Sequence, residues 1–185
     1  MKILLTNDDG IHAKGLWALY KRFSGNHDVS VIAPDRERSG VGHGITLNEP
    51  LRSSYVEVNG GYKGYAVTGT PADCIKLGLL EILDERPDAV ISGINLGMNV
   101  GVNTNYSGTV AAAREASLYG IAAIAISMQG IEENNYDDIA HFIEVLSKKV
   151  LEKGLPFGTF LNVNIPDKPV KETAGLRFSR QGVKL

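Results

Sequence analysis

Short apolar runs alternate with segments of helical periodicity at the start of the chain. Residues 1–6 and 29–33 form two such runs, ended by a polar turn and by Pro34, and both predict buried strands. Between them, apolar residues recur at helical spacing, namely Leu16, Leu19, Tyr20 and Phe23. The chain is therefore expected to begin with a strand, a helix and a second strand.

The same alternation continues after a predicted hairpin. The runs 54–58 and 62–67 flank Asn59-Gly60-Gly61 and form that hairpin. Thr70-Pro71 opens a helix through about Leu83, with proline at the first helical position. Further strands are predicted at residues 89–92, 121–127 and 160–165, and further helices at residues 109–119 and 137–153.

Strands that alternate with helices indicate a parallel sheet that is covered on both faces. The 185 residues suit one α/β domain, and the sequence contains no repeat, low-complexity segment or linker. We therefore expect a single domain over residues 1–185. Its fold class is α/β, with a doubly wound, mainly parallel sheet, helices on both faces and a small β-hairpin insertion.

Composition and charge narrow the class of function. A hydrophobic fraction of 43% and a charged fraction of 22% are typical of globular proteins. The formal net charge of -2 provides no basic field for a nucleic acid polymer, so a small anionic substrate would need a local charge such as a metal ion. Cys74 is the single cysteine, which excludes a disulfide framework. The N-terminal apolar run is too short for a signal peptide or membrane span, so we expect a cytoplasmic protein without a membrane partner.

Three unusual segments follow predicted strands, at residues 7–10, 36–44 and 93–107. In doubly wound folds, ligands bind beyond the carboxyl ends of the strands. The last segment has about fifteen residues without periodicity, and a structureless loop of that length in a compact domain is usually functional. The convergence of the three segments predicts a site at this edge of the sheet.

Asp8 and Asp9 are adjacent carboxylates at the end of the first strand. They repel each other unless a positive charge lies near, and hard cations such as Mg²⁺ prefer oxygen ligands. The alternative is a solvated turn in which Asp9-Gly10 caps the next helix. The residues alone leave both interpretations open.

Other features favour phosphate binding. The alternating Gly40, Gly42 and Gly44 would let the backbone approach a phosphate, although they would also make a flexible turn. His43 among them is either a site residue or a hydrogen-bonding residue of the loop. Ser107-Gly108-Thr109 opens the Ala-rich helix, where N–H groups suit a phosphate and a plain N-cap is equally compatible. The sequence contains neither G-x-G-x-x-G in the first turn nor a P-loop motif.

The segment 93–107 has no charged residue but contains four asparagines, among them Asn95 and Asn99. An asparagine side chain supplies a neutral oxygen to a metal or a donor to a phosphate. It also stabilises turns without any further function.

Six short motifs stand in order across most of the chain. They are Thr6-Asn7-Asp8-Asp9-Gly10, Ala33-Pro34-Asp35-Arg36-Glu37-Arg38-Ser39, Gly42-His43, Thr68-Gly69-Thr70-Pro71-Ala72-Asp73-Cys74, Ser92-Gly93-Ile94-Asn95-Leu96-Gly97 with Asn99, and Ser107-Gly108-Thr109-Val110. Together these motifs resemble the stationary-phase survival protein family, SurE.

The resemblance implies a Rossmann-like fold and a 5′-nucleotidase, a metal-dependent phosphatase of nucleoside 5′- and 3′-monophosphates that in some members also cuts short polyphosphate. It implies one divalent cation, Mg²⁺ or Mn²⁺, held by Asp8, Asp9, Ser39 and Asn95. It also implies a homodimer or homotetramer built partly by a C-terminal extension. Because family chains usually run further, we expect that extension to be missing after residue 185.

On this hypothesis, Asp8 and Asp9 are the catalytic carboxylates that carry the cation, which would activate water for attack on phosphorus. The substrate phosphate would be held by residues of the three segments, namely Ser39, Gly40, His43, Asn99, Ser107, Gly108 and Thr109. The sequence does not assign a general acid.

The competing hypothesis is a Mg²⁺-binding phosphoacceptor receiver module, a signalling domain that also carries an acidic pair after its first strand. Such modules need an acceptor Asp after the third strand and a Lys after the fifth. Here the strand 89–92 leads into Gly93-Ile94-Asn95, and the strand 160–165 is followed by Pro166, with Lys168 further on. A covalent aspartyl-phosphate enzyme of the haloacid dehalogenase type is also disfavoured, because its two Asp residues lie two apart. The nucleotidase hypothesis is therefore preferred.

Overall fold

One mixed sheet forms the centre of the computed structural model, which describes residues 1–58, 60–130 and 135–182. Its strands in chain order are β1 (Lys2–Thr6), β2 (Asp28–Pro34), β3 (Ser53–Val58), β4 (Tyr62–Val67), β5 (Ala89–Leu96), β6 (Ala122–Met128) and β7 (Leu161–Ile165). They lie in the order β3-β4-β2-β1-β5-β6-β7, and only the pair β3-β4 is antiparallel. The predicted doubly wound, mainly parallel sheet is confirmed.

The α-helices of the described ranges are α1 (Lys14–Phe23), α2 (Pro71–Leu77), α3 (Gly108–Leu118) and α4 (Tyr136–Lys153). A π-helical turn, Gly78–Ile82, continues α2, and 3₁₀ turns occupy Gly101–Asn105 and Val170–Glu172. Helices α1 and α4 cover one face of the sheet, and α2 and α3 cover the other. In this described part of the chain, no helix is both long enough and apolar enough to cross a membrane.

Successive strand residues point to opposite faces of the sheet, so each strand contributes to two cores. Ile3 and Leu5 pack with α1 and α4, while Leu4 between them packs with α2 and α3. The contact between α3 and the sheet is made largely of small, fully buried residues, namely Ala112, Ala113, Ala116, Ala123 and Ala125. Small side chains let the helix approach the sheet closely, so α3 starts right beside the end of β1.

The central strand β1 is the point at which the direction of chain winding reverses. Strands β2, β4 and β3 lie on one side of it, and β5, β6 and β7 lie on the other. In the register of β1 with β5, Thr6 is opposite Ser92. The turn after β1 and the last residues of β5 therefore share the switch point, which is where doubly wound sheets bind ligands.

An aromatic cluster fixes α1 against the edge of the sheet. The ring of Trp17 stacks on Tyr62 of β4 with centroids 5.4 Å apart, and Tyr20 packs edge-on against both rings. The indole Nε1 donates to the backbone oxygen of Ile11 at 2.6 Å. Trp17 thus connects the segment after β1 with α1 and with the edge hairpin.

The structure corrects two predicted boundaries and the placement of the hairpin. Strand β5 runs to Leu96 instead of ending at residue 92, because its pairing with β6 shifts register after Ser92 and resumes at Asn95 and Leu96. The helix predicted to about Leu83 leaves α geometry after Leu77. The hairpin is confirmed, but it forms the edge of the main sheet because β4 pairs with β2. Asn59 of its turn lies outside the described residues.

Candidate active site

The turn after β1 holds Asp8 and Asp9 on a fixed backbone. The side chain of the buried Asn7 donates to Gly10 O at 3.0 Å and accepts from Gly10 N at 3.1 Å. Gly10 has a φ of +95°, and a Cβ there would collide with the backbone of the segment after β2. Helix α1 starts later, with Ala13 as its N-cap and no side-chain cap bond. The interpretation of Asp9-Gly10 as a helix cap is therefore wrong.

Asp8 is buried against the first turn of α3. Its Oδ1 accepts a hydrogen bond from Thr109 Oγ1, and the residue is only 4% exposed. A Cβ at Gly108 would lie 2.7 Å from Asp8 Cβ, so the glycine allows the helix start to contact the aspartate. Burial raises the pKa of Asp8, and the hydrogen bond from Thr109 offsets part of that effect. A solvated turn is thus excluded for Asp8.

The pKa of Asp9 is shifted toward neutrality. Burial, together with the nearby carboxylates of Asp8 and Glu37, raises the pKa of Asp9 to about 7. The fold therefore disfavours simultaneous negative charge on Asp8 and Asp9 unless something positive binds there. A divalent cation would stabilise the charged form of both, so the pair has the chemistry of a cation site.

The segment after β2 brings Ser39 close to the turn that carries Asp8 and Asp9. Arg38 N donates to Asp8 O at 2.7 Å, which fixes this segment on the turn after β1. Ser39 Oγ donates to Glu37 Oε1 at 2.7 Å, so the lone pairs of the hydroxyl can still serve a cation. The sequence analysis missed Glu37, because nothing in the charged start of this segment distinguishes it from a solvated residue.

Asn95 lies in the last part of β5, so the expectation that residues 93–107 form one structureless loop is wrong. It stands opposite Ser127 of β6, and its Nδ2 donates to Gly97 O at 2.6 Å. That bond leaves Oδ1 as the atom that can ligate a metal. Direct contacts join Asp8 to Thr109 and to the segment of Ser39, whereas the pairing of β1 with β5 places Asn95 at the same edge.

Asn99 anchors the segment after β5 to the last two strands of the sheet. Its Nδ2 donates to Ser127 Oγ at 2.7 Å, and its backbone N donates to Asn164 Oδ1 at 2.8 Å. Its backbone oxygen accepts from Asn162 and from Asn164. These bonds give Asn99 a structural role, and its contact with phosphate stays a prediction.

Residues 40–44, here called the glycine loop, pack against the segment that precedes α3. Gly42 N donates to Tyr106 O at 2.8 Å, and a Cβ at Gly42 would lie 2.9 Å from Asn105 O. Ser107 caps α3 by accepting from Val110 N at 3.1 Å, so the plain N-cap interpretation is confirmed. The cap remains compatible with a phosphate at the first N–H groups of the helix.

His43 points from the glycine loop to α3, where its Nε2 lies 2.7 Å from Glu115 Oε2. The next residue, Gly44, accepts a hydrogen bond at its backbone oxygen from Thr70 Oγ1 at 2.8 Å. The glycine loop is therefore tied to its neighbours at several points and does not form the flexible turn that was the alternative.

Comparison with known proteins identifies the family. The family model described as "Survival protein SurE" matches residues 3–185. The chain belongs to the SurE family. The "5'-nucleotidase SurE" of Desulfatibacillum aliphaticivorans is 57% identical over 184 residues, which are 99% of this chain and 72% of that protein. The protein of the same name from Syntrophobacter fumaroxidans is 47% identical over 182 residues, which are 98% of this chain and 73% of that protein.

A solved structure of the SurE family shares the fold. The crystal structure of the SurE protein from Aquifex aeolicus superposes with a TM-score of 0.87 at 43% identity and covers 98% of this chain and 73% of that one. The resemblance and the Rossmann-like fold predicted from the sequence are both confirmed. Membership of the SurE family also removes the receiver module from consideration.

The sequence analysis did not single out two carboxylates that connect the segments carrying the SurE motifs. Asp73 accepts from Thr70 N at 2.9 Å and from Thr46 Oγ1 at 2.7 Å, and it joins the start of α2 to the segment after the glycine loop. The spacing of Thr70 and Asp73, a capping box, was a usable signal. Glu115 was signalled less directly, as a charged residue in a helix otherwise rich in alanine.

Proposed function

We propose that this chain is a divalent-metal-dependent phosphomonoesterase that hydrolyses nucleoside 5′-monophosphates to nucleoside and phosphate. The observation that carries the proposal is the contact of the buried Asp8 with the first turn of α3, beside Asp9 at the switch point of the sheet. It puts a candidate cation site and a candidate phosphate site next to each other. The names of the curated relatives, 5'-nucleotidase SurE, support the substrate class.

Asp8, Asp9, Ser39 and Asn95 would hold the cation. This donor set of two carboxylates, a hydroxyl and an amide oxygen fits the preference of Mg²⁺ and Mn²⁺ for oxygen ligands. In the described residues, no three His, Cys, Asp or Glu side chains form a group that could hold a metal ion. The Ser39 hydroxyl and the Asn95 amide would therefore be needed to complete the site.

A divalent cation bound here would supply Lewis-acid catalysis for the attack of water on phosphorus. The chain would supply the seat for the phosphate. The first N–H groups of α3, from Ser107 to Thr109, carry the positive end of the helix dipole and would bind phosphate oxygens. The backbone at Gly40, the Ser39 hydroxyl and the remaining N–H of Asn99 Nδ2 would complete that seat.

The finer predictions belong to the same proposal. Nucleoside 3′-monophosphates and short polyphosphate present the same terminal phosphate and are further candidate substrates. We also propose that the chain acts in the cytoplasm as a single catalytic domain and assembles into a homodimer or homotetramer. Phosphate release, size-exclusion chromatography with light scattering, and cell fractionation test these points separately.

The decisive experiment is phosphate release from a panel of nucleoside monophosphates, with and without added metals. We expect Mg²⁺ or Mn²⁺ to support steady release from AMP, and we expect thorough chelation to abolish it until a metal is returned. Full activity in a chelated sample would contradict the metal dependence. Absence of turnover on every nucleotide with every metal would contradict the proposed function.

A further inference from the structure

Glu115 is a buried carboxylate on α3 that follows a run of small residues. Its side chain is 9% exposed, and its neighbours one turn before it, Ala111 and Ala112, are buried alanines. Removing a carboxylate from water costs free energy unless charged partners compensate. Both partners lie outside α3: His43 Nε2 is 2.7 Å from Oε2, and Lys76 Nζ is 3.6 Å from Oε1.

The glycine loop needs contacts to keep one shape. It has no regular secondary structure, and Gly40 and Gly42 have φ values of +72° and +57°. Such a segment has high conformational entropy when it is free. Gly42 N is held by Tyr106 O, and Gly44 O is held by Thr70 Oγ1. His43 lies between these two attachment points, and its side chain makes the connection to α3.

Helix α3 is also the element whose first turn contacts Asp8. Glu115 lies about two turns beyond Gly108, roughly 10 Å along the helix axis. By contacting Glu115, the His43 ring couples the glycine loop to the rigid helix that carries the phosphate seat. Because His43 Nε2 lies 2.7 Å from Glu115 Oε2, this ring atom already has a partner on α3.

We propose that Glu115 and His43 are positioning residues that act as one unit: Glu115 holds His43, and His43 holds the glycine loop in the shape that receives the substrate phosphate. The proposal rests on the proposed function, because it assigns roles within the same site. It also replaces the prediction that His43 is a phosphate ligand.

A double-mutant cycle tests the coupling. The variants are His43→Ala, Glu115→Ala and the double variant, and the measurements are kcat and KM for AMP at saturating metal and the inhibition constant of inorganic phosphate. We expect each single variant to raise KM and the inhibition constant about tenfold, the size of one lost charge-assisted hydrogen bond. We expect kcat to change by less than about threefold, and the double variant to match the single ones.

The cycle also separates the alternative in which His43 binds phosphate directly. In that case His43→Ala would weaken phosphate binding while Glu115→Ala would not, or the two effects would multiply in the double variant. Either result overturns the proposal. Glu115→Gln keeps a hydrogen-bond acceptor and His43→Gln keeps a donor, so both should recover most of the lost affinity. If neither conservative variant recovers the affinity, the proposal is also overturned. These two variants keep the test valid if Glu115→Ala does not fold.

The chain offers a matched control in a second His–Glu pair. His27 Nε2 lies 3.2 Å from Glu144 Oε1, between residues that do not belong to the proposed site. His27→Ala should lower the melting temperature and leave KM for AMP unchanged. If it raised KM as much as His43→Ala does, the effect of the His43 variant would be a general loss of stability, and the proposal would be wrong.

Amide hydrogen exchange provides a readout that does not depend on turnover. Gly42 N and Thr46 N are both hydrogen-bonded, to Tyr106 O and to Asp73 Oδ1. We expect both amides to exchange about tenfold faster in His43→Ala and in Glu115→Ala. Unchanged exchange contradicts the positioning role even if KM rises. Faster exchange in a protein that does not hydrolyse AMP would instead uphold the coupling and refute the proposed function.

Discussion

The fold raises the pKa of Asp9, and this has a consequence for the stability of the protein. Its pKa of about 7 compares with an ordinary value of 3.8, so between these values the folded state holds a proton that the unfolded chain has released. The stability of the metal-free protein should therefore fall as pH rises from about 4 to about 7. We expect Asp9→Asn to reduce this slope and to raise the melting temperature of metal-free protein at about pH 8. Thermal unfolding of both proteins between about pH 5 and pH 8 checks this, and parallel curves would contradict it.

The variant Asn95→Asp distinguishes two possible roles of Asn95, a metal ligand and a residue that only shapes the backbone. A residue that only shapes the chain would tolerate both Ala and Asp. If Oδ1 is a ligand, Asp adds a negative charge where the substrate phosphate docks, and two such charges at about 4 Å repel by ~4 kcal/mol at an effective dielectric near 20. We expect Asn95→Asp to bind Mn²⁺ at least as tightly as the parent and to hydrolyse AMP more than about tenfold more slowly.

Asn95→Ala is the companion variant, and it should weaken both cation binding and hydrolysis. Calorimetric titration with Mn²⁺ and kcat/KM on AMP measure the two effects. Because Asp cannot donate to Gly97 O as Asn95 does, the melting temperatures of both variants are needed as a folding control. Rates like those of the parent in both variants would place the fourth ligand elsewhere.

At the scale of elements, the start of α3 is the part of the fold in which the candidate phosphate seat and the candidate metal site depend on each other. A Cβ at Gly108 would lie 2.7 Å from Asp8 Cβ and 3.0 Å from Pro71 Cγ, so Gly108→Ala must displace the aspartate as well as the helix. We expect this variant to bind Mn²⁺ about tenfold or more weakly, to raise KM for AMP about tenfold or more, and to lose ~1–3 kcal/mol of stability. Gly25→Ala is the control, since a Cβ there meets nothing within 4 Å. A rise in KM with unchanged metal affinity would show that the two sites are independent.

Helices α1 and α4 are joined by a second buried carboxylate. Glu144 accepts from Arg22 Nε at 2.6 Å and from Lys148 Nζ at 3.0 Å. Burial acts to raise the pKa of Glu144, but the hydrogen bonds from Lys148 and Arg22 outweigh it and hold the pKa below its ordinary value. The stability that these bonds provide is thus present above the ordinary pKa of 4.5 and is lost as pH falls through the lowered one.

We expect Glu144→Gln to lose about 2 kcal/mol of unfolding free energy at neutral pH, because hydrogen bonds between charged groups are replaced by weaker ones. The loss should shrink on acidification, while KM for AMP stays unchanged. Urea denaturation at about pH 7 and about pH 4 measures both points. An equal loss at the two pH values would show that the ionised form of Glu144 does not contribute.

Across the whole molecule, the parallel strands and the location of the candidate site at their carboxyl ends could be predicted because they depend on local patterns. The continuous apolar run Ile3, Leu4 and Leu5 predicts a strand that is buried on both faces, and strands that alternate with helices predict a parallel sheet. Strand β5 was predicted too short because its backbone becomes irregular after Ser92, where its pairing with β6 shifts register. Local hydrophobic patterns thus predict the architecture, but they do not predict the strand boundaries where the backbone departs from regular geometry.

The contacts inside the candidate site could not be predicted in the same way. Thr109 and Asp8 are 101 residues apart in sequence, and His43 and Glu115 are 72 apart. No local pattern encodes such pairs, because their members are brought together only by the packing of α3 on the sheet. The motifs indicate which segments belong to the candidate site. The contacts between individual atoms follow only from the three-dimensional fold.

Trp17 is an intrinsic fluorescence probe that lies close to the candidate active site. It is the single tryptophan of the chain, its indole N–H is bound to Ile11 O, and its ring is stacked on Tyr62. Indole fluorescence depends on both of these neighbours. Ile11 comes two residues after Asp9, so we expect a cation bound by Asp8 and Asp9 to alter the emission without any added label. The stacking on Tyr62 makes the same emission sensitive to separation of β4 from α1, so the tryptophan reports on both the turn after β1 and the hairpin.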